Sequence, residues 1–352
     1  MSINNKTCTK NFGGNTNLNN DLKSLVSDIN GPIPNKHLRK LLFGDAYSIS
    51  EKNEAGYSDR EKKLLLNLAQ EEKNYISSLP SYKRPVWIST AGGPGAGKST
   101  ALSQNIAKLF DIAVEKEAWS EGSLQTATRA IFPILPFSLI SPDKRSLPSI
   151  AACENVGDAI DESFYKKWWN AIYFLSGVAI NASLTYGKNA IYDTTFTSEK
   201  AINSVTQAKE NGYYTATLML GASDEVRHKS VQKRNKAYVQ VFPHNVTKQN
   251  DAFAESIPKV LSLSDEVMLA WRDGVSNSSY NVACVQENQR LTVLDENGFE
   301  AFCNTYPIAK EMTQKMERKN AIEPQKSLNH TIQEGLKDNS SSCVLVTSAP
   351  YQ

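Results

Sequence analysis

Gly92-Gly93-Pro94-Gly95-Ala96-Gly97-Lys98-Ser99 fits the pattern G-x-x-x-x-G-K-[ST] at every defined position. Glycines adopt backbone angles that other residues resist, so successive N–H groups can turn inward around phosphate oxygens. A lysine at the seventh position reaches β- and γ-phosphates, and the hydroxyl that follows ligates Mg²⁺. The expected ligands are therefore ATP and Mg²⁺. The nucleotide is held by Gly92 through Ser99 with Thr100, Lys98 acts on the transferring phosphate, and Ser99 acts on the metal. The motif alone leaves three fates for the γ-phosphate: transfer to another molecule, hydrolysis, or retention as a conformational signal.

Other residues bear on that choice. Asp143 stands in "LISPDKRSLP", just past an apolar segment, where it could orient an acceptor hydroxyl and take its proton. Arg145, two residues on, could hold an anionic acceptor. The same residues also fit a Pro-Asp turn with solvated charges. Asp193 closes the apolar run "NAIYD" and could act on Mg²⁺ or its waters, or cap the helix that follows. Thr195 could contact substrate or a water. "VRHKSVQKRNK" carries Arg227, Lys229, Lys233, Arg234 and Lys236 without an acid. Such a run can close over a nucleotide and neutralise the moving phosphoryl group, or it can be a solvated helix face. Trp168 and Trp169 could line an acceptor pocket or sit in the core.

These residues need a frame, and the hydrophobic pattern supplies one. "PVWIST" (85–90), "FSLIS" (137–141), "NAIYDTT" (189–195), "YTATLMLG" (214–221) and "YNVACVQ" (280–286) read as strands. Helical segments separate them, among them "KSTALSQNIAKLF", a stretch from Asp161 to about Ala182, and "SEKAINSVTQAKENG", which ends at Gly212. Alternation of this kind predicts an α/β fold: a P-loop NTPase-type parallel β-sheet flanked by helices. Ser58 and Glu61 have capping-box spacing ahead of an apolar helical face. "RLTVLDENGFEAF" (290–302) reads as a closing strand, a turn at 296–298 and a short helix. The predicted organisation is a partly disordered helical extension over 1–80, a P-loop kinase core over 81–305, and a polar helical or disordered tail over 306–352. No internal repeat is visible.

Composition narrows the classes. A chain of 352 residues fits one large domain with appendages, or two domains, at about 150 residues per domain. A net charge of +2 argues against a protein built to grip nucleic acid nonspecifically. The five cysteines are scattered without C-x-x-C spacing, which argues for free thiols in a reducing compartment. The N-terminus has no apolar signal core, and no run reaches the about 18 apolar residues of a membrane span. The expectation is a cytoplasmic protein; an export signal read by a dedicated secretion machine would leave no trace in this test.

The order of segments resembles the zeta-toxin family of P-loop kinases over roughly residues 84–302. The resemblance rests on "GGPGAGKST", on Ser141-Pro142-Asp143-Lys144-Arg145-Ser146-Leu147-Pro148, on Asp193-Thr194-Thr195 and on the basic segment around "SVQKR". It implies that Asp143 is the general base and Arg234 a lid arginine. The chain departs from the family pattern in three places. Ser141 replaces an acid before the catalytic Asp, Leu147 replaces a His, and Phe196-Thr197 stand where an Arg is usual. Toxin-type members phosphorylate a UDP-linked amino sugar, and the departures bear on that acceptor rather than on Mg-ATP.

The expected function is ATP-dependent transfer of the γ-phosphate to a hydroxyl of a small molecule, with a nucleotide sugar as one candidate. No glutamate poised to activate water follows "LISPD" or "IYDTT", and Asn235-Lys236-Ala237-Tyr238 fails as a guanine-reading motif at its last position. The alternatives are a kinase of nucleic-acid ends or protein hydroxyls, and a nucleotide-binding module without catalysis. Residues 1–80 or the C-terminal tail would suit a protein partner in either case.

Overall fold

A computed structural model describes residues 57–81, 85–98, 100–101, 138–140, 146–154, 161–236, 245–274, 281–287 and 290–319. The strands are β1 (Val86–Ala91), β2 (Ser138–Ile140), β3 (Ala190–Tyr192), β4 (Tyr214–Ala222), β5 (Glu266–Arg272), β6 (Asn281–Glu287), β7 (Arg290–Val293) and β8 (Glu317–Lys319). They form one sheet in the order β2-β3-β1-β4-β5-β6-β7-β8. The first five in that order run parallel. β6 is antiparallel to both neighbours, and β8 is parallel to β7.

The helices are α1 (Asp59–Ser78), α2 (Leu147–Cys153), α3 (Glu162–Thr185), α4 (Glu199–Glu210), α5 (Asp224–Asn235), α6 (Asn245–Leu263), α7 (Glu296–Thr305) and α8 (Pro307–Gln314). Four of them, α1, α3, α4 and α5, start at side chains that satisfy orphan backbone donors. The capping box at α1 is formed: Ser58 N–H donates to Glu61 Oε2 at 2.7 Å and Glu61 N–H to Ser58 Oγ at 3.3 Å. Asp161 accepts from Phe164 N–H at 2.8 Å to open α3. Among the described residues no helix is long and apolar enough to cross a membrane.

Every residue of β1 is buried, as a central parallel strand covered on both faces requires. Alternate residues serve opposite layers. Trp87 and Ala91 join Tyr192, Phe196, Phe253 and Phe302 on one side, while Val86 and Ile88 join Leu218, Leu220 and Ala270 on the other. A third apolar cluster binds α1 to α2 and α3 through Leu65, Leu68, Ile150 and Trp168. Tyr57 stacks on Trp168 at 5.1 Å, so that indole is core, whereas Trp169 is 37% exposed.

Several parts differ from the sequence reading. "EVMLAWR" forms β5, a central strand between β4 and β6, which the sequence reading did not separate from the helix before it because only Ser264 and Asp265 stand between them. The segment at 280–286 is therefore the sixth strand, and it runs antiparallel. Residues 306–319, read as the start of the tail, form α8 and β8. Tyr306, Ala309 and Met316 are buried there, against the main core. Glu296-Asn297-Gly298, read as a turn, is the first turn of α7. Cys284 and Cys303 are free and buried. Cys153 is disulfide-bonded, contrary to the free thiols expected.

Candidate phosphoryl-transfer site

The sheet delivers β1 straight into the glycine loop. Gly92, Gly95 and Gly97 have φ of 146°, 77° and 89°. At Gly95 the requirement is double, since a Cβ there would also collide with the carbonyl of Arg227. Ala96 N–H donates to Gly93 O at 3.2 Å, and a helix starts at Lys98 with Thr100 and Ala101 N–H both donating to Gly97 O at 3.0 Å. The helix start faces the loop and favours negative charge. Lys98 Nζ folds back over this cradle, donating to Gly92 O at 2.9 Å and Gly93 O at 3.2 Å. Ser99 lies outside the described residues.

β3 lies beside β1, with Ser89 opposite Tyr192, which brings Thr90 to Asp193. Thr90 Oγ1 has one proton and two acceptors for it, Asp193 Oδ1 at 3.0 Å and Thr194 O at 2.8 Å. It also accepts from Thr194 N–H at 2.9 Å. Gly92 N–H donates to Thr195 O at 3.3 Å, so the turn after β3 is tied to the loop itself. Thr195 and Thr197 share a hydroxyl contact of 2.8 Å. Between them Phe196 is buried with φ of 62°, a left-handed conformation that a bulky residue keeps only when its surroundings enforce it.

β2 ends at Ile140, whose carbonyl accepts from Asp193 N–H at 2.9 Å. Asp143 and Arg145 follow Ile140 by three and five residues and lie outside the described residues. Of the sequence-predicted groups, the structure thus brings Gly92–Lys98, Thr100, Asp193 and Thr195 to one edge of the sheet, the edge at the carboxyl ends of the parallel strands.

The basic stretch is a capped helix, with Ser223 Oγ accepting from Val226 N–H at 3.3 Å. Its cations divide. Arg227 is fully buried and bonded to Ala222 O, Tyr306 and Asp224, so it is an internal strut and no part of a lid. Lys229 pairs with Glu225. The acids that neutralise both stand just ahead of the stretch. Arg234 differs: its Nε and Nη2 are buried and have no hydrogen-bond partner among the described residues. Arg227, Ser230 and Arg234 share a helix face, about one turn apart. Gly95 packs on the carbonyl of the first.

Four supporting residues escaped the sequence reading. Thr90 holds Asp193. Arg272, at the end of β5, donates from Nη1 to Gly95 O at 3.2 Å and Ser230 Oγ at 3.3 Å. Asn250 and Tyr306 bond to each other behind the loop at 2.8 Å. Recognising "EVMLAWR" as a strand would have placed Arg272 at the ligand edge. Asn250 and Tyr306 carry no local signal.

A glycine cradle with no room for side chains, a lysine above it and a guanidinium with orphaned buried N–H groups fit a polyphosphate. Asp193 fits Mg²⁺ or its waters. Among the described residues no group of three or more His, Cys, Asp or Glu could hold a metal ion. A Mg²⁺ bound through phosphates, water and one or two protein oxygens needs no such cluster.

Residues 88–256 match the family described as AAA domain. No curated protein sequence is significantly similar to the chain. Among solved structures, one of AvrRxo1-ORF1:-ORF2 with ATP has a TM-score of 0.51 at 13% identity, over 82% of this chain and 92% of that one. A structure of the same complex with sulphate ions has a TM-score of 0.46 at 14% identity, over 82% and 92%. A structure of the PezAT chromosomal toxin-antitoxin system of Streptococcus pneumoniae has a TM-score of 0.42 at 12% identity, over 81% and 98%. The chain thus has a P-loop NTPase-type fold.

Proposed function

We propose that the protein is an ATP-dependent, zeta-toxin-like kinase that transfers the γ-phosphate to a hydroxyl of a small molecule. The observation that carries the reading is the junction of two strand ends. The glycine loop after β1 is hydrogen-bonded to the turn after β3, and Asp193 is held there by Thr90. That pairing of a phosphate cradle with a strand-end carboxylate suits phosphoryl transfer. A protein of the same fold was solved with ATP, in keeping with ATP as the nucleotide. The same structure is of a two-component complex, which accords with a protein partner here as well.

In this reading the backbone N–H groups of Gly93, Gly95, Gly97 and Lys98 hold the β- and γ-phosphates, and Lys98 exchanges its loop carbonyls for phosphate oxygens. The acceptor hydroxyl oxygen bonds to the γ-phosphorus as the bond from phosphorus to the β–γ bridging oxygen breaks, leaving ADP. The hydroxyl proton passes to Asp143, and Arg145 holds an anionic acceptor. Arg234 takes up charge on the moving phosphoryl group. Ser99 and Asp193 would hold Mg²⁺, which supplies charge neutralisation on the phosphates. Thr195 contacts the acceptor or a water.

Calorimetric titration with Mg-ATP, followed by a transfer assay, tests the reading. The Lys98→Ala protein is expected to lose ATP binding, and the Asp143→Ala protein to keep binding but lose transfer. Unchanged ATP binding by Lys98→Ala would sink the loop assignment, and full transfer by Asp143→Ala would sink the base assignment.

A further inference from the structure

Behind the glycine loop lies a polar chain inside the core. Arg227 of α5 is 0% exposed and Tyr306, at the α7–α8 junction, is 1% exposed. Arg227 Nη1 donates to Tyr306 Oη at 3.0 Å, and Tyr306 Oη donates its proton to Asn250 Oδ1 of α6 at 2.8 Å. The order is forced. A guanidinium can only donate, so the phenol must accept from it and spend its one proton on an acceptor, which turns the amide oxygen of Asn250 toward it.

Both ends of this chain touch the loop. A Cβ at Gly93 would overlap Asn250 Oδ1, and a Cβ at Gly95 would overlap the carbonyl of Arg227. The network is therefore the surface on which Gly93 and Gly95 rest. It is also a poor way to stabilise a core. Arg227 Nε has no hydrogen-bond partner among the described residues, and its carboxylate partner Asp224 is 70% exposed. Burying a charge so incompletely satisfied is unfavourable compared with apolar packing. What the arrangement provides is directional: three helical elements are tied to one another at fixed hydrogen-bond distances, and two of them, through Asn250 and Arg227, lie against the loop.

We propose that Arg227, Tyr306 and Asn250 form a brace that fixes the glycine loop in its phosphate-binding shape, so that Tyr306 and Asn250 are positioning residues for the nucleotide site. Residues read from sequence as the start of a polar tail thus help shape the loop. The effect on nucleotide affinity rests on the kinase reading; the effect on the loop does not.

The test compares Tyr306→Phe and Asn250→Ala with Phe299→Leu, a core change on α7 outside the network, in the full-length chain. Hydrogen exchange without nucleotide reads the loop directly. Backbone exchange over 92–98 is expected to rise about tenfold in the first two variants, the worth of one buried hydrogen bond, and to stay at the parent rate in Phe299→Leu at equal loss of thermal stability. Mg-ATP titration should show a matching rise of about tenfold in Kd for the first two alone, with transfer at saturating ATP within about twofold of the parent. Parental loop exchange in Tyr306→Phe, or an equal rise in Phe299→Leu, overturns the brace. A parent protein that fails to bind ATP while the exchange pattern holds would instead overturn the kinase reading and leave the brace standing.

Discussion

Thr90 and Asp193 stand at the ends of adjacent parallel strands, and the threonine hydroxyl shares its one proton between the aspartate carboxylate at 3.0 Å and Thr194 O at 2.8 Å, beside the glycine loop. The same hydroxyl accepts from Thr194 N–H at 2.9 Å. One side chain therefore orients the carboxylate and closes the backbone of the turn.

Replacing Thr90 by Val keeps its shape and removes these bonds. A loss of about 1–3 kcal/mol is expected from the stranded Thr194 N–H, with phosphoryl transfer falling more than ATP binding. Denaturant melts and a comparison of kcat with KM check this. A variant that transfers phosphate at the parent rate would show that Asp193 needs no such orientation.

Arg227 and Arg234, two turns apart on α5, should behave oppositely. Arg227→Leu removes charged hydrogen bonds from the core and is expected to cost about 2 kcal/mol or more. Arg234→Ala is expected to change stability by less than about 0.5 kcal/mol and to lower transfer by about 10³-fold if its guanidinium meets the moving phosphoryl group. Chemical denaturation alongside a transfer assay separates the two.

Gly95 and Gly212 have nearly the same φ, 77° and 78°. A Cβ at Gly212 meets nothing within 4 Å, whereas at Gly95 it meets the Arg227 backbone. Gly212→Ala should therefore cost only the left-handed strain, about 1–2 kcal/mol, and leave ATP affinity unchanged. Gly95→Ala should abolish measurable ATP binding. Titration calorimetry on both variants decides.

Lys200 donates to Tyr173 O at 2.7 Å across the α3–α4 contact. Burial pushes its ammonium down from 10.5 to about 7. Between those values the unfolded chain binds the proton and the folded chain does not, so stability from this group rises with pH across the window. Below about pH 7 both states are protonated and the desolvation cost stands in full. From pH 7 to pH 9 the parent melting temperature should rise relative to that of Lys200→Met. Above about pH 10 buried Tyr192 and Tyr213, whose hydroxyls burial holds protonated, oppose the trend. A constant difference from pH 7 to pH 9 would refute the assignment.

Much of the frame was legible because its signals are local. Strands β1, β3 and β4 are short apolar runs between helical periods, and the Ser58 capping box is written in four residues. The glycine loop follows from the same logic, since its backbone demands glycine where it turns. β5 was missed because it follows α6 with only two polar residues between and no Gly or Pro to mark the break. The burial of Arg227 escaped the sequence reading for a different reason. Charge in sequence says nothing of burial, and Arg227 is claimed by Tyr306, a residue 79 positions away. Contacts of that kind, including Asn250 with Tyr306, exist only once the chain has closed on itself.

The central claim is transfer of the γ-phosphate to a hydroxyl acceptor. Its most direct test is incubation of the protein with γ-labelled ATP and a small-molecule extract, with the label followed by chromatography and mass spectrometry. The expected result is one extract compound that gains a phosphoryl group and the label, made by the parent and absent with Lys98→Ala and Asp143→Ala. Label found only in inorganic phosphate, or retained in ATP however complete the extract, would contradict it.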